Sequence, residues 1–148
     1  MKIDLRAAQP DDFNFCRLLY YETMRWISER LFGWDQTQED VKFAQQFKLD
    51  EVEIIVVDGC DVGWLQTQSD EQMITLGQLY VAPARQRLGI GTEVLNRVSE
   101  RARRARKTVI LSVVKINPAR HLYERHGFHA THEDQYKIYM RRDFAPDV

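Results

Sequence analysis

Two glycines in the stretch RQRLGIGTEVL, residues 85–95, offer the clearest candidate chemistry in this sequence. Gly89 and Gly91 lie one residue apart at the start of a predicted helix, and basic and amide side chains at residues 85–87 precede them. Free N–H groups at a helix N-terminus bind phosphate, and glycine lacks the Cβ atom that would keep a phosphate away. A tight turn between a strand and a helix explains two glycines equally well. The stretch alone leaves both interpretations open.

A second stretch, NPARHLYERHGF at residues 117–128, predicts a short helix with marked ends. Asn117 suits the N-cap, Pro118 the first helical position and Gly127 the left-handed residue after the helix. Phe128 then supplies the apolar contact that accompanies such a helix end. These features fit any short helix and do not by themselves indicate a function.

The elements around the two glycines predict a parallel pair of strands. The stretch MITLGQLYV precedes the loop as a strand, and TVILSVVKI follows as a nearly continuous apolar strand that we expect to be buried on both faces. Between them, apolar residues at helical spacing predict a long amphipathic helix: Ile90, Val94, Leu95, Val98 and Ala102. A strand–helix–strand crossover of this length joins parallel strands.

The rest of the sequence predicts a first strand, two helices, and antiparallel strands before and after the parallel pair. After the strand KIDLRAA, a helix from Phe13 to Phe32 is expected, capped by Asp11 or Asp12 and ended by Gly33. The sequence TQED at residues 37–40 predicts a capping box for a second helix. The strands EIIVV and VGWLQTQ form a meander with MITLGQLYV, and FHATHED with YKIYMRRD forms a final hairpin. The class is α+β with a mixed sheet.

Composition indicates one ordinary globular domain, residues 1–148, with 44% hydrophobic and 29% charged residues. A net charge of −1 disfavours nucleic acid as a partner, and the basic stretch at residues 100–107 is interpreted as the exposed end of a helix. No apolar run approaches the ~20 residues of a membrane span. Two cysteines and four histidines without motif spacing predict neither disulfide framework nor metal site. No secretion signal is visible, so a cytoplasmic location is expected.

Together, LYVAPARQRLGIG and NPARHLYERHGF resemble the GNAT superfamily of N-acetyltransferases. Residues 86–91 match the family's coenzyme-loop pattern Q/R-x-x-G-x-G/A, and the order of elements matches over nearly the whole chain. The resemblance is strongest from Leu79 to Phe128 and weakest before Asp50. It implies a mostly antiparallel sheet with a central parallel pair of strands that splay apart, flanked by helices.

The resemblance implies acetyl-CoA as cosubstrate, with the pantetheine arm between the splayed strands. The backbone of Leu79, Tyr80 and Val81 would then face the arm from one strand, and Asn117 would reach it from the other. Ala119 also belongs to the implied coenzyme site. The implied pyrophosphate loop comprises Gln86, Arg87, Leu88, Gly89, Ile90, Gly91 and Thr92.

Acetyl transfer to an amine needs a neutral nucleophile, a base, an oxyanion donor and a proton for the leaving thiolate. Keeping a lysine-like amine neutral at neutral pH costs about 4 to 5 kcal/mol. The resemblance implies the Val81 N–H as oxyanion donor and Tyr123 as the acid near the thioester sulfur. The alternative for Tyr123 is a packed aromatic side chain of its helix.

The sequence departs from the family at the base. Many relatives carry a carboxylate on the strand before the loop, whereas MITLGQLYV has none and Gln78 is neutral. A base would have to come from elsewhere or act through water. The candidates, for each of which the sequence favours a surface position over the role of base, are Glu22, Asp35, Glu39, His121 and His132.

Acceptor specificity in this family lies in the first two helices and the last hairpin. Here that region is rich in aromatic and acidic side chains, which suit a cationic amine. Trp34 and Asp35, outside the helix, and Glu22 are the predicted substrate-binding residues. We expect an N-acetyltransferase of a small-molecule amine. A protein or peptide amine, a non-catalytic CoA-binding sensor, and a homodimer stay open.

Overall fold

The computed structural model of the chain describes residues 1–144. Its strands are β1 (Ile3–Ala7), β2 (Val52–Val57), β3 (Cys60–Ser69), β4 (Met73–Val81), β5 (Thr108–Val114), β6 (His129–Glu133) and β7 (Lys137–Arg142). Its α-helices are α1 (Phe13–Leu31), α2 (Gln36–Gln46), α3 (Ile90–Ala105) and α4 (Ala119–Arg125). Short 3₁₀-helices cover Pro10–Asp12, Leu49–Glu51 and Pro83–Arg85.

The strands form one mixed sheet in the order β1-β2-β3-β4-β5-β7-β6. β1 with β2, β2 with β3, β5 with β7 and β6 with β7 are antiparallel, whereas β4 and β5 are parallel. The predicted α+β class with one central parallel pair is therefore confirmed. The parallel pairing covers Met73–Thr75 and Thr108–Ile110, so the later residues of β4 lie beyond its registered pairing with β5.

The chain divides into two compact units. The first contains Met1–Gln66 and Gln78–Gln86, and the second contains Thr67–Gly77 and the chain from Arg87 onward. β3 and β4 each contribute residues to both units. The expectation that residues 1–148 act as one domain stays a prediction.

An aromatic core fills the first unit around Trp64 of β3, which is fully buried. The Trp64 ring lies with its centroid 6.0 Å from that of Phe43, 5.8 Å from that of Phe47 and 5.3 Å from that of Tyr80. Its indole Nε1 is buried without a hydrogen-bond partner among residues 1–144. Buried residues of α1, α2 and β2 complete this core: Cys16, Leu19, Phe43, Val52 and Ile54.

The second unit packs α3 and α4 on β5. The predicted apolar face of α3 is buried, as expected for an amphipathic helix. In β5, Val109, Leu111 and Val113 are buried but Ser112 is exposed, so the expected burial on both faces is wrong. The strand alternates because successive side chains point to opposite faces of the sheet, and only one of the two faces is covered fully.

The cap predicted for α2 is wrong. Asp35 occupies the N-cap, and its carboxylate accepts a hydrogen bond from the Gln38 N–H at 3.1 Å, so the helix begins before the TQED stretch. Asp12 precedes α1 as expected but makes no cap hydrogen bond to it. Its carboxylate instead accepts two bonds from the Arg6 guanidinium at 2.9 Å and one from the Gln9 N–H at 2.8 Å.

Both cysteines are free, and their surroundings differ. Cys16 is buried in α1, and burial raises the pKa of its thiol to about 12. Cys60 is exposed at the start of β3. Within residues 1–144, no helix combines the length and apolar character that a bilayer span requires, and no group of acidic, histidine and cysteine side chains is arranged to hold a metal ion.

Candidate coenzyme and acetyl-transfer site

The loop before α3 leaves the N-terminus of that helix uncapped. Arg87 and Gly89 both have left-handed backbone conformations, with φ of 64° and 82°. Gly89 is the N-cap residue, no side chain caps the helix, and the Glu93 N–H donates to the Gly89 carbonyl at 3.1 Å. The preceding N–H groups of α3 therefore have no acceptor within the helix. Together with the helix dipole they form a site suited to an anion.

The two glycines of the loop serve different purposes. A Cβ atom at Gly89 would meet nothing within 4 Å, so its need for glycine is the positive φ. A Cβ atom at Gly91 would lie 3.1 Å from Leu122 Cδ2, so the start of α3 lies against α4. Open space at Gly89 and exposed side chains at Arg87 and Leu88 leave room for a phosphate group beside the loop.

α4 starts one residue later than predicted: Pro118, not Asn117, occupies the N-cap position, and the regular helix starts at Ala119. The Asn117 Oδ1 nevertheless accepts a hydrogen bond from the Ala119 N–H at 2.9 Å.

Tyr123 is buried on α4 and packs against the residue that closes the helix. Gly127 has a φ of 81°, its N–H donates to the Glu124 carbonyl at 3.2 Å, and the Phe128 N–H donates to the Tyr123 carbonyl at 3.1 Å. This is the predicted glycine-terminated helix end, and the rings of Tyr123 and Phe128 lie 5.9 Å apart. Burial raises the pKa of the Tyr123 hydroxyl to about 12, and no described residue hydrogen-bonds to it.

In the first unit, the end of β4 is held by hydrogen bonds on both sides. The Ala82 N–H donates to the Val62 carbonyl at 2.8 Å, which ties β4 to β3. The Gln86 side-chain Nε2 donates to the Val81 carbonyl at 2.9 Å. The Tyr80 hydroxyl donates to Gln78 Oε1. The Gln86 amide thus contacts the β4 backbone, a contact that the loop pattern did not predict.

Gly63 is a functional candidate that the sequence analysis missed. A Cβ atom at this position would lie 2.3 Å from the Tyr80 carbonyl oxygen and 3.2 Å from the Val81 Cα. Glycine inside a strand, away from any turn, is the signal that could have drawn attention to it, since such a residue often marks the close approach of another backbone.

The predicted acceptor residues Trp34 and Asp35 make contacts within the first unit. The Trp34 indole N–H donates to Gln36 Oε1 at 3.1 Å, and the Arg25 guanidinium lies 5.1 Å from its ring centroid. The Tyr21 ring meets the Trp34 ring at 5.2 Å. Asp35 caps α2. Glu22 is exposed on α1. The structure thus brings Trp34 and Asp35 into the α1–α2 packing.

A polar cluster that the sequence analysis missed joins α1 to α2 at Asp40. Its carboxylate accepts hydrogen bonds from the Tyr21 hydroxyl, from Arg17 Nη1 at 3.1 Å and from Gln36 Nε2 at 3.0 Å. The Tyr21 hydrogen bond is the main reason that the pKa of Asp40 lies below its usual value. Burial, followed by the bond to Asp40, raises the pKa of Tyr21 to about 12.

The candidate bases lie in unlike surroundings. Burial and then the charge of Glu39 raise the pKa of Tyr20, which is partly buried. His121 Nδ1 lies 3.7 Å from Glu124 Oε2. His132 stacks on the ring of Tyr139 at 4.3 Å. Asp35 and Glu22 have the positions described above.

Comparison with known proteins identifies the family. The acetyltransferase (GNAT) domain matches residues 50–130, which include the uncapped start of α3 and the whole of α4. The chain therefore belongs to the GNAT acetyltransferase family, and it is an acetyltransferase that uses acetyl-CoA as donor. No curated protein matches the chain in sequence.

Solved structures with the same fold share little sequence with the chain. A PaiA N-acetyltransferase from Thermoplasma acidophilum in complex with coenzyme A is 16% identical, with a TM-score of 0.80 over 97% of this chain and 100% of that one. An acetyltransferase from Thermus thermophilus is 16% identical, with a TM-score of 0.77 over 97% and 98%. The ribosomal-protein-S18-alanine N-acetyltransferase from Escherichia coli is 18% identical, with a TM-score of 0.71 over 99% and 97%.

Proposed function

We propose that residues 1–148 act as a single N-acetyltransferase domain that moves the acetyl group of acetyl-CoA to a primary amine of a small molecule. The amine attacks the thioester directly while both substrates are bound. The observation that carries the proposal is the uncapped N-terminus of α3 behind the left-handed Gly89, within the region matched by the family. This arrangement fits a pyrophosphate.

The proposed coenzyme contacts fall into three groups. The loop and the first turn of α3 hold the pyrophosphate through backbone N–H groups. The residues proposed for the pantetheine arm lie at the end of β4 in the first unit and, separately, at Asn117 and on α4 in the second unit. The proposed residues are Leu79, Tyr80, Val81, Gln86, Arg87, Leu88, Gly89, Ile90, Gly91, Thr92, Asn117, Ala119 and Tyr123.

Strand geometry supports the Val81 N–H as the oxyanion donor. Successive residues of a strand direct their N–H groups to opposite edges. Because the Ala82 N–H is directed to Val62 of β3, we expect the Val81 N–H on the other edge of β4. Registered pairing with β5 ends at Thr75, well before this residue. A donor at that edge stabilises the negative charge that forms on the acetyl oxygen.

Tyr123 is the proposed acid for the leaving thiolate. Its hydroxyl has a pKa of about 12, higher than the ~8.5 of a thiol such as cysteine. Full proton transfer to the thiolate is therefore uphill, and the hydroxyl contributes by donating a hydrogen bond as the sulfur departs. This places its effect at the low end of the ~10²- to 10⁴-fold range of general acids.

Acceptor binding is proposed for the α1–α2 region. Trp34, Asp35 and Glu22 offer an aromatic face and carboxylates to a cationic amine. β4 carries no carboxylate, so the proton of the attacking amine is proposed to leave through water or through a carboxylate of another element. A cytoplasmic location, and the absence of nucleic-acid or membrane partners, remain predictions, as does a homodimer.

The test is an acetyl-transfer screen that measures CoA formation with polyamines, amino acids, aminoglycosides and peptides. Turnover on a small amine supports the proposal. Turnover on peptides alone would instead favour a protein acceptor, a second candidate suggested by the fold shared with the ribosomal-protein-S18-alanine N-acetyltransferase. Tight binding of CoA without turnover on any acceptor would contradict the proposal and favour a CoA-binding sensor without catalysis.

A further inference from the structure

We infer that Gly63 is a positioning residue for acetyl transfer, because its lack of a side chain allows the Tyr80–Val81 backbone to occupy its position beside β3. The inference rests on the proposed function, because the proposed function assigns two roles to the end of β4: pairing with pantetheine and donating the Val81 N–H. Gly63 itself touches neither substrate in this proposal. It acts through the backbone of β4.

The steric argument is direct. A Cβ atom at residue 63 would lie 2.3 Å from the Tyr80 carbonyl oxygen, a distance at which one of the two strands has to move. The atom concerned belongs to the backbone, so no side-chain rotation relieves the clash. Ile55 Cδ1 at 3.1 Å closes the same space from β2.

β3 is irregular at the same place. Ile55 pairs with Gly63 and Val56 pairs with Asp61, so Val62 is an extra residue in β3. Such a bulge bends its strand and redirects the neighbouring residues. The Val62 carbonyl accepts the Ala82 N–H at 2.8 Å. The bulge and Gly63 together therefore set where the last residues of β4 lie.

The Gln86 side chain completes this arrangement. Its Nε2 holds the Val81 carbonyl at 2.9 Å. The Val81–Ala82 peptide is therefore fixed by two hydrogen bonds, one from Gln86 Nε2 to the Val81 carbonyl and one from the Ala82 N–H to the Val62 carbonyl. The preceding peptide, between Tyr80 and Val81, lies against Gly63. Because the Tyr80 carbonyl and the Val81 N–H belong to the same planar peptide group, displacement of the carbonyl would misdirect the Val81 N–H.

The experiment compares Gly63→Ala with Gly59→Ala. Gly59 lies in the turn that joins β2 to β3, has a φ of 83° and has nothing within 4 Å of its Cβ position, so its substitution strains the same hairpin without a clash against β4. For each variant, kcat with acetyl-CoA is measured with the best amine. Calorimetry then gives Kd for CoA and for adenosine 5′-diphosphate 3′-phosphate, which has the pyrophosphate but no pantetheine.

For Gly63→Ala we expect kcat to fall by at least ~10-fold, since loss of one oxyanion donor costs about 10²- to 10³-fold. CoA should bind about 10-fold more weakly, whereas adenosine 5′-diphosphate 3′-phosphate should bind as in the wild type. Hydrogen exchange at the Ala82 amide should become faster. Gly59→Ala should lower Tm yet change none of these quantities.

The double variant Ile55→Val/Gly63→Ala separates backbone position from side-chain crowding. It removes the Ile55 Cδ1 atom and leaves the clash with the Tyr80 carbonyl, so we expect no recovery of kcat. Four results would each overturn the role of Gly63 while the wild type still binds CoA. They are recovery of kcat in the double variant, unchanged hydrogen exchange at the Ala82 amide of Gly63→Ala, equal weakening of its affinities for CoA and for adenosine 5′-diphosphate 3′-phosphate, and unfolding of Gly63→Ala. A wild type that binds no CoA would overturn the proposed function and this inference with it.

Discussion

At the scale of single residues, Tyr123 has both a structural and a proposed chemical role. Its carbonyl accepts the bond from Phe128 that ends α4, and its ring packs against Phe128. Both contacts survive substitution by phenylalanine, which removes only the hydroxyl. Tyr123→Phe therefore separates the two roles.

We expect Tyr123→Phe to lower kcat by about 10²-fold, with the affinity for CoA unchanged and the free energy of unfolding altered by no more than ~1 kcal/mol. Steady-state rates, calorimetry and thermal denaturation test these expectations. An acid role also predicts a smaller loss with a thioester of a more acidic thiol. A variant that keeps more than half of the wild-type kcat, with chemistry rate-limiting, would assign Tyr123 to packing alone.

Gly89→Asp tests the loop. The substitution adds a Cβ atom at a positive φ and a negative charge where phosphate is proposed to bind, so we expect loss of CoA binding by a folded protein. The matched control is Gly33→Asp. Gly33 has a φ of 80°, and a Cβ atom there would meet nothing within 4 Å. The control substitution imposes similar strain at the end of α1 and should leave CoA affinity unchanged. CoA binding within about threefold of wild type, or ~0.7 kcal/mol, would remove the loop from the coenzyme site.

At the scale of elements, Asp35 is the residue whose interpretation changed most between sequence and structure. As the N-cap of α2 it accepts the Gln38 N–H. Asp35→Ala should cost about 1 kcal/mol, whereas Thr37→Ala, at the position where the sequence predicted the cap, should change stability little. Denaturant titration measures both. Equal losses would contradict the cap.

Asp35→Asn then addresses substrate binding. Asparagine is as good an N-cap as aspartate, so stability is expected to hold while the charge is lost. A rise in KM for the amine with unchanged kcat would support Asp35 as an acceptor residue. An unchanged KM would show that Asp35 serves only as the N-cap of α2.

The sequence was sufficient for the elements that follow a local rule. The amphipathic face of α3, the left-handed end of α4 at Gly127 and the crossover between β4 and β5 all depend on spacing within one stretch, and all are confirmed. The cap of α2 was missed because a capping-box pattern at residues 37–40 competed with Asp35. Neighbouring candidates of similar propensity differ only once the backbone is placed.

Contacts distant in sequence account for the rest of what was missed. The close approach of Gly63 to Tyr80 and the cluster around Asp40 join residues that no local pattern relates. The proposed coenzyme loop follows from one local pattern, whereas the contacts of the predicted acceptor residue Trp34 depend on how α1 and α2 pack.

At the scale of the whole molecule, stability in acid should depend on Asp12. Hydrogen bonds from Arg6 are the main reason that the pKa of its carboxyl lies below the ordinary 3.8. A depressed folded-state pKa adds stability that is present above the unfolded-state pKa and is lost as pH falls through the folded-state pKa. Part of the acid unfolding of this chain therefore falls below about pH 4.

Asp12→Asn should lower stability at neutral pH by about 1 kcal/mol, a Tm change of ~2 to 4 °C, and should flatten the fall of Tm between neutral pH and about pH 3, chiefly in the part of the fall below about pH 4. Thermal denaturation across this range tests both effects. Asp11→Asn, at an exposed neighbour, should follow the wild type. A variant whose Tm falls with acid as steeply as the wild type would show that other carboxylates set the dependence.

The two free cysteines have a consequence for how turnover is counted. A disulfide reagent that detects the thiol of released CoA also reacts with exposed protein thiols, and thiolate content and access govern that reaction. Cys60 is open to such a reagent, whereas Cys16, with its pKa raised to about 12 by burial, is protected. Reaction of Cys60 with the reagent would give a rapid first phase of the thiol signal, equal in amount to the protein. Such a phase would resemble the rapid release of CoA that accompanies formation of an acyl-enzyme. Cys60→Ser abolishes a phase that comes from the protein thiol and leaves intact one that comes from the donor.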